Sequence, residues 1–526
     1  MKVRLLNLTA YHRPTGHLHL WPLSTQPGYQ SRATDDPPAV TWLPLVKRAA
    51  RVSVSVTTWG RTGGDAKVEP GTITLSNAVP GDHNVPRYIN IFDLTAGQWL
   101  RVPLPARPLN LLLTDYVVQF AQEYVIEQGA AYATAVPTCR LRFGIPELSS
   151  GSEIQLPAWD PRRDYDTPFA PEDITYAGTG GYEGPEALKG MTRERCVGLV
   201  PMVTPTYLGV IDGLHRWGAS GGRAIHGVPK GWSGAVAMTQ VGGTPTAGQY
   251  SVNLSTGIIA TSTKYDDFRV SVEGELAADG SWPHTIGPVI RHIATTAGLA
   301  TTVDVTGIEG QPRTVGYYVG AGDGTTIRAV NDALTGSVAR GGWYEDTAGT
   351  LVVTRLPRPA DVVLVRTIRV GIEGRGEATM TPLEADRDVP AKQAIVRFAE
   401  TASPGTAAPA ATADDTALWT NQWREAPSAV NAVVAAAWGR AAVVERPETK
   451  LALRADADAE APLWLEELSG APQPYEVRVR DGAPGIVIGQ GIRIIGDMPG
   501  YEAGAAAIVY GRREEPDGSA TLFVVR

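Results

Sequence analysis

The feature of this sequence that most restricts its fold is a glycine-rich stretch from Tyr176 to Gly190, Tyr-Ala-Gly-Thr-Gly-Gly-Tyr-Glu-Gly-Pro-Glu-Ala-Leu-Lys-Gly, which leads on to Cys196 and Gly198. Its glycine content is too high for a helix or a central strand, because interior glycine destabilises both. It lacks the Lys-Ser or Lys-Thr pair with which a P-loop holds a nucleotide. The stretch therefore predicts a tight connection of defined shape, in which glycines adopt positive φ angles.

The composition of the 526-residue chain is typical of several folded β domains. A chain of this length exceeds one ordinary hydrophobic core, so we expect three or four domains. Hydrophobic residues make up 43% and charged residues 19%, which argues against wholesale disorder. The 58 glycines and 40 prolines are spread without a collagen-like period and, with many Val, Thr and Tyr residues, indicate short strands joined by turns.

The net charge of −8 argues against a sequence-independent DNA-binding protein, which would need a basic surface. An acidic wall would instead keep passing DNA from adhering, although an acidic protein with no electrostatic task is the simpler interpretation. The two cysteines, Cys139 and Cys196, form neither a disulfide framework nor a Cys-x-x-Cys site, so buried thiols are expected. The N-terminus lacks a secretory signal, and the most apolar later segment, 429–438, is too short to span a membrane.

Hydrophobic periodicity predicts a mainly β protein with small α+β modules, a multidomain β-sandwich and β-barrel architecture. Alternating stretches such as Arg51–Trp59, Gly71–Leu75 and Cys139–Phe143 indicate strands. The predicted segments are an N-terminal β domain (1–165), a β domain opened by the glycine-rich stretch (166–280), an α+β module (281–390), a linker and helix-leaning segment (391–470) and a C-terminal β-barrel (471–526).

Two amphipathic helices are predicted in the α+β module. The first follows Thr285 and stops at Gly298, and the second begins at Thr325 or Thr326. Their apolar faces comprise Val289, Ile290, Ile293 and Ala297 in the first, and Ile327, Val330, Leu334 and Val338 in the second. Hairpins are predicted over 343–355 and between 507–515 and 519–526, a loop over 218–234, and a helix-leaning stretch over 428–443, with prolines 427, 447 and 462 as breaks.

Motifs that suggest catalysis or metal binding have simpler structural interpretations. Gly218-Ala-Ser-Gly-Gly222 matches the nucleophile-elbow pattern, but that elbow needs a following helix, and none fits before Pro229. His17 and His19 lie on one face of a predicted strand, and two further histidines, His215 and His226, flank the glycine loop. Because no His-Glu-x-x-His and no third ligand at a recognised spacing occur, surface or hydrogen-bonded histidines are expected.

Acidic and aromatic residues likewise predict structure. The neighbouring pairs Asp164/Asp166 and Asp266/Asp267 could act as the catalytic carboxylates of a glycosidase only if the fold placed the carboxylates opposite each other. We therefore expect these aspartates to lie at turns and strand ends. Asp456-Ala-Asp-Ala-Glu460 lacks the glycine and closing glutamate of a calcium loop, and Gly320-Ala-Gly-Asp-Gly324 lacks a Rossmann spacing. The 13 scattered tryptophans are interpreted as core or interface anchors. The sequence predicts no catalytic, cofactor-binding or metal-binding residue, and no enzyme.

Several short motifs, taken in order, resemble baseplate hub and tail-tip proteins of long-tailed bacteriophages and gene transfer agents. One of these motifs is the glycine-rich stretch. Together the motifs extend the resemblance over roughly residues 45 to 526. The other motifs are Gly71-Thr-Ile-Thr-Leu-Ser-Asn77, Cys139-Arg-Leu-Arg-Phe143, Val197-Gly198, Gly316-Tyr-Tyr-Val319, Tyr475-Glu-Val-Arg-Val479, Gly489-Gln-Gly-Ile-Arg-Ile494 and Asp517-Gly-Ser-Ala-Thr-Leu522.

The resemblance implies a structural protein of the virion, a baseplate hub that closes the end of the tail tube and opens for DNA passage. It implies a ring of identical chains, with a homotrimer favoured for a hub and a hexamer for a distal ring. Implied partners are tail-tube or distal tail proteins, the tape-measure protein, other baseplate or fibre proteins and, transiently, passing DNA, with no stable membrane insertion. Assembly would take place in the cytoplasm of the host bacterium, and the mature location would be the tail tip.

Three alternatives to the hub stay open. One is a distal tail ring, and another is a receptor-binding or carbohydrate-binding tail-tip protein, which exposed Trp and Tyr in one terminal domain would favour. The third is a tail-associated cell-wall hydrolase, which would need convergent catalytic groups near residues 215–226.

Overall fold

The computed structural model describes most of the chain, and its described part is mainly β, as predicted. The described residues are 2–25, 28–49, 53–57, 65–69, 71–76, 88–103, 110–150, 153–172, 174–300, 302–346, 348–371, 376–383, 389–402, 404–470, 474–496, 500–515, 517 and 519–526.

The N-terminal region is built on a large antiparallel sheet. Its elements are β1 (Lys2–His12), β2 (His17–Ser24), β3 (Tyr29–Gln30), β4 (Thr41–Trp42), β5 (Val46–Arg48), β6 (Ser53–Thr57), β7 (Asp65–Glu69), β8 (Thr72–Ser76), β9 (Tyr88–Asp93), β10 (Gln98–Pro103), α1 (Asn110–Thr114), β11 (Tyr116–Glu127), β12 (Val136–Phe143), β13 (Glu147–Ser150) and β14 (Glu153–Trp159). The sheet order is β10-β9-β2-β1-β11-β12-β14-β8-β5, with β13 paired to β14. Leu6 and Leu8 face one apolar cluster and Val3 and Leu5 another, so β1 is buried on both faces.

The middle of the chain contains a second large sheet and three short helices. Its elements are β15 (Arg195–Val203), β16 (Thr206–Ile211), β17 (Leu214–Gly218), β18 (Ile225–Ser233), β19 (Val236–Gln240), β20 (Gln249–Asn253), β21 (Ile258–Thr261), β22 (Phe268–Glu275), α2 (Ile286–Thr296), β23 (Val303–Asp304), α3 (Thr306–Glu309), β24 (Gly316–Val319), α4 (Ile327–Thr335), β25 (Gly341–Glu345) and β26 (Leu351–Arg355). The nine-stranded sheet has the order β16-β17-β21-β20-β19-β18-β22-β15-β24.

The loop predicted over 218–234 is wrong for its second half, because β18 forms there and pairs with β22. The register shifts between Gly227 and Lys230, which brackets Pro229. Proline cannot donate to a ladder and is tolerated at such an irregularity, so the proline and glycines that indicated a loop instead mark a bulge.

The two helices predicted in the α+β module are confirmed as α2 and α4. Thr285 is the N-cap residue of α2, and Gly298 follows that helix with a φ of 67°. The Thr326 hydroxyl accepts a hydrogen bond from the Ala329 amide and so caps α4. The predicted hairpin is confirmed as β25 and β26, whose turn includes Gly349 with a φ of 81°.

The last part of the chain alternates strands with three helices. Its elements are β27 (Leu364–Val370), β28 (Ala378–Pro382), β29 (Ala391–Phe398), α5 (Ala413–Thr420), β30 (Arg424–Pro427), α6 (Ala432–Trp438), β31 (Val443–Glu445), α7 (Arg454–Ser469), β32 (Pro474–Val479), β33 (Gly491–Gly496), β34 (Ala505–Glu514) and β35 (Ala520–Val525). The helix α7 contains Pro462 in its interior, so the prediction that this proline breaks helical structure is wrong. Ala457, Ala461 and Trp464 are buried in the largest core and hold the helix there.

A closed six-stranded barrel forms near the C-terminus, in the order β33-β27-β28-β32-β35-β34, and it is closed by pairing between β33 and β34. The predicted pairing of the last two strands is confirmed. Two of the barrel strands, β27 and β28, come from the segment before residue 390, and the β6–β7 ribbon adds to β34 from outside. The five-segment division of the chain stays a prediction, and these shared sheets cross its boundaries.

Candidate functional site

The glycine-rich stretch folds into a compact loop, as the sequence predicts. The Tyr176 amide donates to the Met191 carbonyl at 3.0 Å, and the Gly190 amide donates to the Tyr176 carbonyl at 2.9 Å, which closes the loop. Inside it, the Glu183 carboxylate accepts from the Ala177 amide at 3.1 Å and from Arg193 at 2.6 Å. Positive φ angles occur at Gly178, Gly180, Gly181, Gly184 and Gly190.

A buried carboxylate, Glu194, joins this loop to the glycine loop after β17. Its Oε2 accepts from the Tyr176 hydroxyl at 2.6 Å, and its Oε1 accepts from the Gly221 amide at 3.1 Å. A Cβ at Gly218 would lie 2.1 Å from Oε1, so only glycine fits there. Burial, and then the negative charge of Glu194, raise the pKa of Tyr176, which keeps its hydroxyl a donor.

A second buried network centres on Glu275, at the end of β22. Arg195 donates to it from Nε and from Nη2, each at 3.1 Å, while Nη1 donates to the Phe169 carbonyl at 2.7 Å. His292 Nε2, on α2, lies 3.2 Å from Glu275 Oε2, the oxygen that also accepts from Arg195 Nη2. Burial acts to raise the pKa of Glu275, but hydrogen bonding from His292 and the charge of Arg195 outweigh it and lower the pKa to about 2. The group is therefore ionised at neutral pH and joins three segments.

Ser220, the serine of the nucleophile-elbow pattern, is fully buried in this network. Its hydroxyl donates to Glu275 at 3.4 Å and accepts from the Cys196 amide at 3.2 Å. Ser220 and His292 both contact the Glu275 carboxylate, and among the described residues no hydrogen bond joins Ser220 to a histidine. The serine is structural, and it lies in the predicted loop, which begins after Gly218, the last residue of β17. The Cys196 thiol is buried as predicted, and burial raises its pKa; the side chain of Cys139 lies outside the described residues.

The acidic run of α7 also serves structure. Glu460 is fully buried and accepts from Arg313 Nε at 2.8 Å and from Arg355 at 2.9 and 3.0 Å. Asp456 accepts from the Thr314 amide at 2.8 Å. These bonds attach α7 to the segment before β24 and to β26, so the run makes helix–loop and helix–strand contacts and is not a calcium loop.

The two carboxylate pairs named from the sequence have separate partners. Asp164 lies 3.0 Å from Arg142, and Asp166 lies 3.5 Å from Arg328. In the second pair, Asp266 lies 3.8 Å from Lys264, and Asp267 accepts a hydrogen bond from the Ser233 hydroxyl at 3.2 Å. Each of these four carboxylates thus contacts its own cation or hydroxyl, which agrees with the structural role predicted for them. Asp323, in the 320–324 glycine segment, accepts from Thr325 and leads into α4.

The strand β2 presents His17 and His19 toward Asp93, at the end of β9. The Nδ1 atom of His17 lies 2.8 Å from Asp93 Oδ2, and the Nε2 atom of His19 lies 3.7 Å from the same oxygen. The other nitrogen of His19 lies 2.8 Å from the Tyr116 hydroxyl. Both histidines are hydrogen-bonded or ion-paired, as predicted, but the sequence analysis missed Asp93. His17 and Asp93 are 76 positions apart, so only the strand order brings them together.

The remaining named histidines are apart from each other. The His215 ring stacks on the Tyr207 ring, and the Tyr207 hydroxyl lies 2.8 Å from the Nδ1 atom of His215. His226 stacks on Trp282 at 4.6 Å between ring centroids. Tryptophans are largely interior, as predicted: the fully buried ones are Trp21, Trp42, Trp232, Trp343, Trp419 and Trp464. Within the described ranges, no helix has the length and apolar character needed to cross a membrane.

Comparison with known proteins gives structural neighbours alone, since no protein-family model and no curated protein matches the sequence. The 43 kDa tail protein of prophage MuSo2 from Shewanella oneidensis has 8% identity and a TM-score of 0.40, with 100% of this chain and 98% of that chain covered. A tail protein from Neisseria meningitidis MC58 has 10% identity and a TM-score of 0.39, with 99% and 96% covered. In these comparisons the chain is similar to phage tail proteins.

A chain of the virion of a native gene transfer agent particle gives 16% identity and a TM-score of 0.39, with 64% of this chain and 85% of that chain covered. Scores at this level do not establish a shared fold.

Proposed function

We propose that this chain is a structural protein of a phage-type tail and that it forms the baseplate hub, which closes the tail tube and opens for DNA passage. Its proposed role is structural assembly and not catalysis. It takes as partners further copies of itself, the adjoining tail-tube or distal tail protein, the tape-measure protein and other baseplate or fibre proteins. Its place is the tail tip of the virion, after assembly in the bacterial cytoplasm.

The observation that carries this proposal is the exposure of α6. Its sequence, Ala-Val-Val-Ala-Ala-Ala-Trp, is apolar all round, yet Val434 is the one residue of the helix that is buried. The Val433 side chain is 78% exposed and Trp438 is 45% exposed, and the preceding Val430 is 55% exposed. A helix that is apolar on every side is normally covered by protein, so this one indicates an assembly interface. In the proposed ring, a neighbouring copy covers α6.

The interior chemistry supports a structural role. The buried carboxylates Glu194, Glu275 and Glu460 are each held by donors from distant segments of the chain. Such networks fix the relative positions of packed elements, whereas an active site needs a titratable group that a substrate can reach. The acidic balance of the chain also fits a channel through which DNA passes without adhering.

The experiment is to measure the mass of the purified full-length chain by light scattering and to image the particles. One chain has a mass of 55.9 kDa. A closed ring of three chains would support the hub, and a ring of six would support a distal tail ring. A monomer that bound glycans or cleaved peptidoglycan would contradict the proposal and favour recognition or hydrolysis.

A further inference from the structure

The cluster of His17, His19 and Asp93 has the ligand set of a transition-metal site. The Nδ1 or Nε2 atoms of the two histidines and one carboxylate oxygen all lie within 4.8 Å of one another. In a tetrahedral site with metal–nitrogen and metal–oxygen bonds of about 2.0–2.1 Å, ligand atoms are separated by about 3.3 Å. His19 is already 3.7 Å from the carboxylate oxygen, and His17 at 2.8 Å would need to move by about half an ångström.

The neighbours of His19 and Asp93 orient these two residues as ligands. The His19 nitrogen that faces away from Asp93 lies 2.8 Å from the Tyr116 hydroxyl, which leaves Nε2 directed at the carboxylate. The Oδ1 atom of Asp93 accepts from the amides of Thr95 and Ala96, both at 2.9 Å, which leaves Oδ2 for the histidines. Metal-binding histidines and carboxylates are usually fixed in this way by a second partner.

Burial and access also fit a bound ion. His19 and Asp93 are buried, while the side chain of His17 is 39% exposed and opens a route from solvent. Two imidazoles and one carboxylate favour a transition-metal ion such as Zn²⁺ over Mg²⁺ and Ca²⁺, which prefer sites made of oxygen atoms. Three protein ligands leave a fourth position for water.

The position in the sheet gives such an ion a structural task. The strand β9 pairs with β2 at two positions, His19 with Asp93 and Leu20 with Phe92, and one further backbone bond joins the Leu94 amide to the Leu18 carbonyl at 2.8 Å. The β9–β10 hairpin is therefore held to the β1–β2 hairpin by a very short ladder, at the edge of the ten-stranded sheet. Ligands from both hairpins would cross-link that ladder at its end.

We propose that His17, His19 and Asp93 bind one Zn²⁺ ion, and that the ion fastens the β9–β10 hairpin to the rest of the N-terminal sheet. This site is independent of the tail role, because it rests on the geometry of one chain. The ion would be coordinated by side chains from both hairpins, and its binding involves no chemical reaction.

The test uses the full-length chain, treated with a chelator and then titrated with ZnCl₂ in a calorimeter, with bound zinc counted by elemental analysis. The test variant is His17→Ala, since His17 is the exposed ligand and its removal leaves the core intact. The matched control is His226→Ala: this histidine is 48% exposed and lies 3.7 Å from Glu273, but it belongs to no three-ligand group among the described residues.

We expect one zinc ion per wild-type chain and per His226→Ala chain, and binding weaker by at least about tenfold in His17→Ala. Zinc should raise the melting temperature of the wild type and of the control, but leave that of His17→Ala unchanged. Equal zinc affinity in wild type and His17→Ala, or no stoichiometric binding to the wild type, would overturn the site. If His17→Ala fails to fold, Co²⁺ bound to the wild type decides: absorption bands of four-coordinate cobalt support the site, and their absence overturns it.

Discussion

Arg195 and Glu275 form a two-point ion pair in the interior, in which both side chains are at least 97% shielded from water. The pair connects β15 with the end of β22, and further bonds from the same two side chains reach Phe169 and His292. The segment before the glycine-rich stretch, the nine-stranded sheet and α2 therefore meet at one buried charge pair.

Replacing Arg195 by Ala should strongly destabilise the protein, because Glu275 would be left with too few donors for a buried carboxylate. Removing one partner of a buried pair costs about 3–5 kcal/mol. Thermal unfolding followed by calorimetry would show this as a lower midpoint. Lys189→Ala, which removes the cation of an exposed pair with Glu186, is the control and should leave the midpoint unchanged. Equal effects of the two substitutions would contradict the interpretation.

The same carboxylate predicts a pH dependence. The folded-state pKa of Glu275 is about 2, below its ordinary value of 4.5, so the folded state favours the charged form. This contribution to stability is complete above about pH 4.5 and is lost as the pH falls from 4.5 towards 2. Melting temperatures of wild type and Glu275→Gln, measured between pH 5 and pH 3, should therefore converge as the pH falls. Parallel curves would show that Glu275 has no such role.

Substitution of Gly178 should test the shape of the glycine-rich loop. Its φ is 69°, and an added Cβ would lie 2.6 Å from the Cβ of Lys189. Gly178→Ala should therefore cost about 1–2 kcal/mol for the left-handed backbone, plus about 1–3 kcal/mol for the overlap. Gly190→Ala is the control, since its φ of 76° is similar and nothing lies within 4 Å of an added Cβ. The difference between the two denaturation midpoints isolates the steric part, and no difference would refute close packing at Gly178.

A charged side chain on α6 should dissociate the proposed ring into single chains. Val433→Asp puts a carboxylate on the exposed apolar helix, where burial against a neighbouring copy would become unfavourable. Light scattering should then give the mass of one chain, 55.9 kDa, with an unchanged circular dichroism spectrum. Leu254→Asp, in an exposed turn after β20, is the control and should keep the wild-type mass. A Val433→Asp ring of wild-type size would exclude α6 from the interface.

Local signals in the sequence predicted local structure well. Thr326 and the spacing of Ile327, Val330 and Leu334 mark α4, because capping and amphipathic periodicity act within one helix. The glycine-rich loop was also predictable, since positive φ angles need glycine. Where glycine and proline lie at a bulge, as around Pro229 in β18, the same signals indicated a loop and were wrong.

Long-range pairing was not predictable from these signals. Nothing near Leu364 indicates that β27 pairs in parallel with β33, more than a hundred residues later, and so completes a barrel. The partners of Glu275 and of His17 were missed for the same reason, because strand order alone brings Arg195 and Asp93 to them. Periodicity shows which side of a strand is buried, whereas the neighbour of that strand depends on the whole sheet.

The pairing of β6 with β34 has a consequence for the order of events during synthesis. Ser55 faces Gly511, so the β6–β7 ribbon finds its partner only after about 450 further residues have been translated. At elongation rates of about 5–20 residues per second, translation of the residues that separate the ribbon from its partner strand takes on the order of 20 to 90 s. The barrel therefore cannot close before β35, which supplies one of its six strands, has been translated.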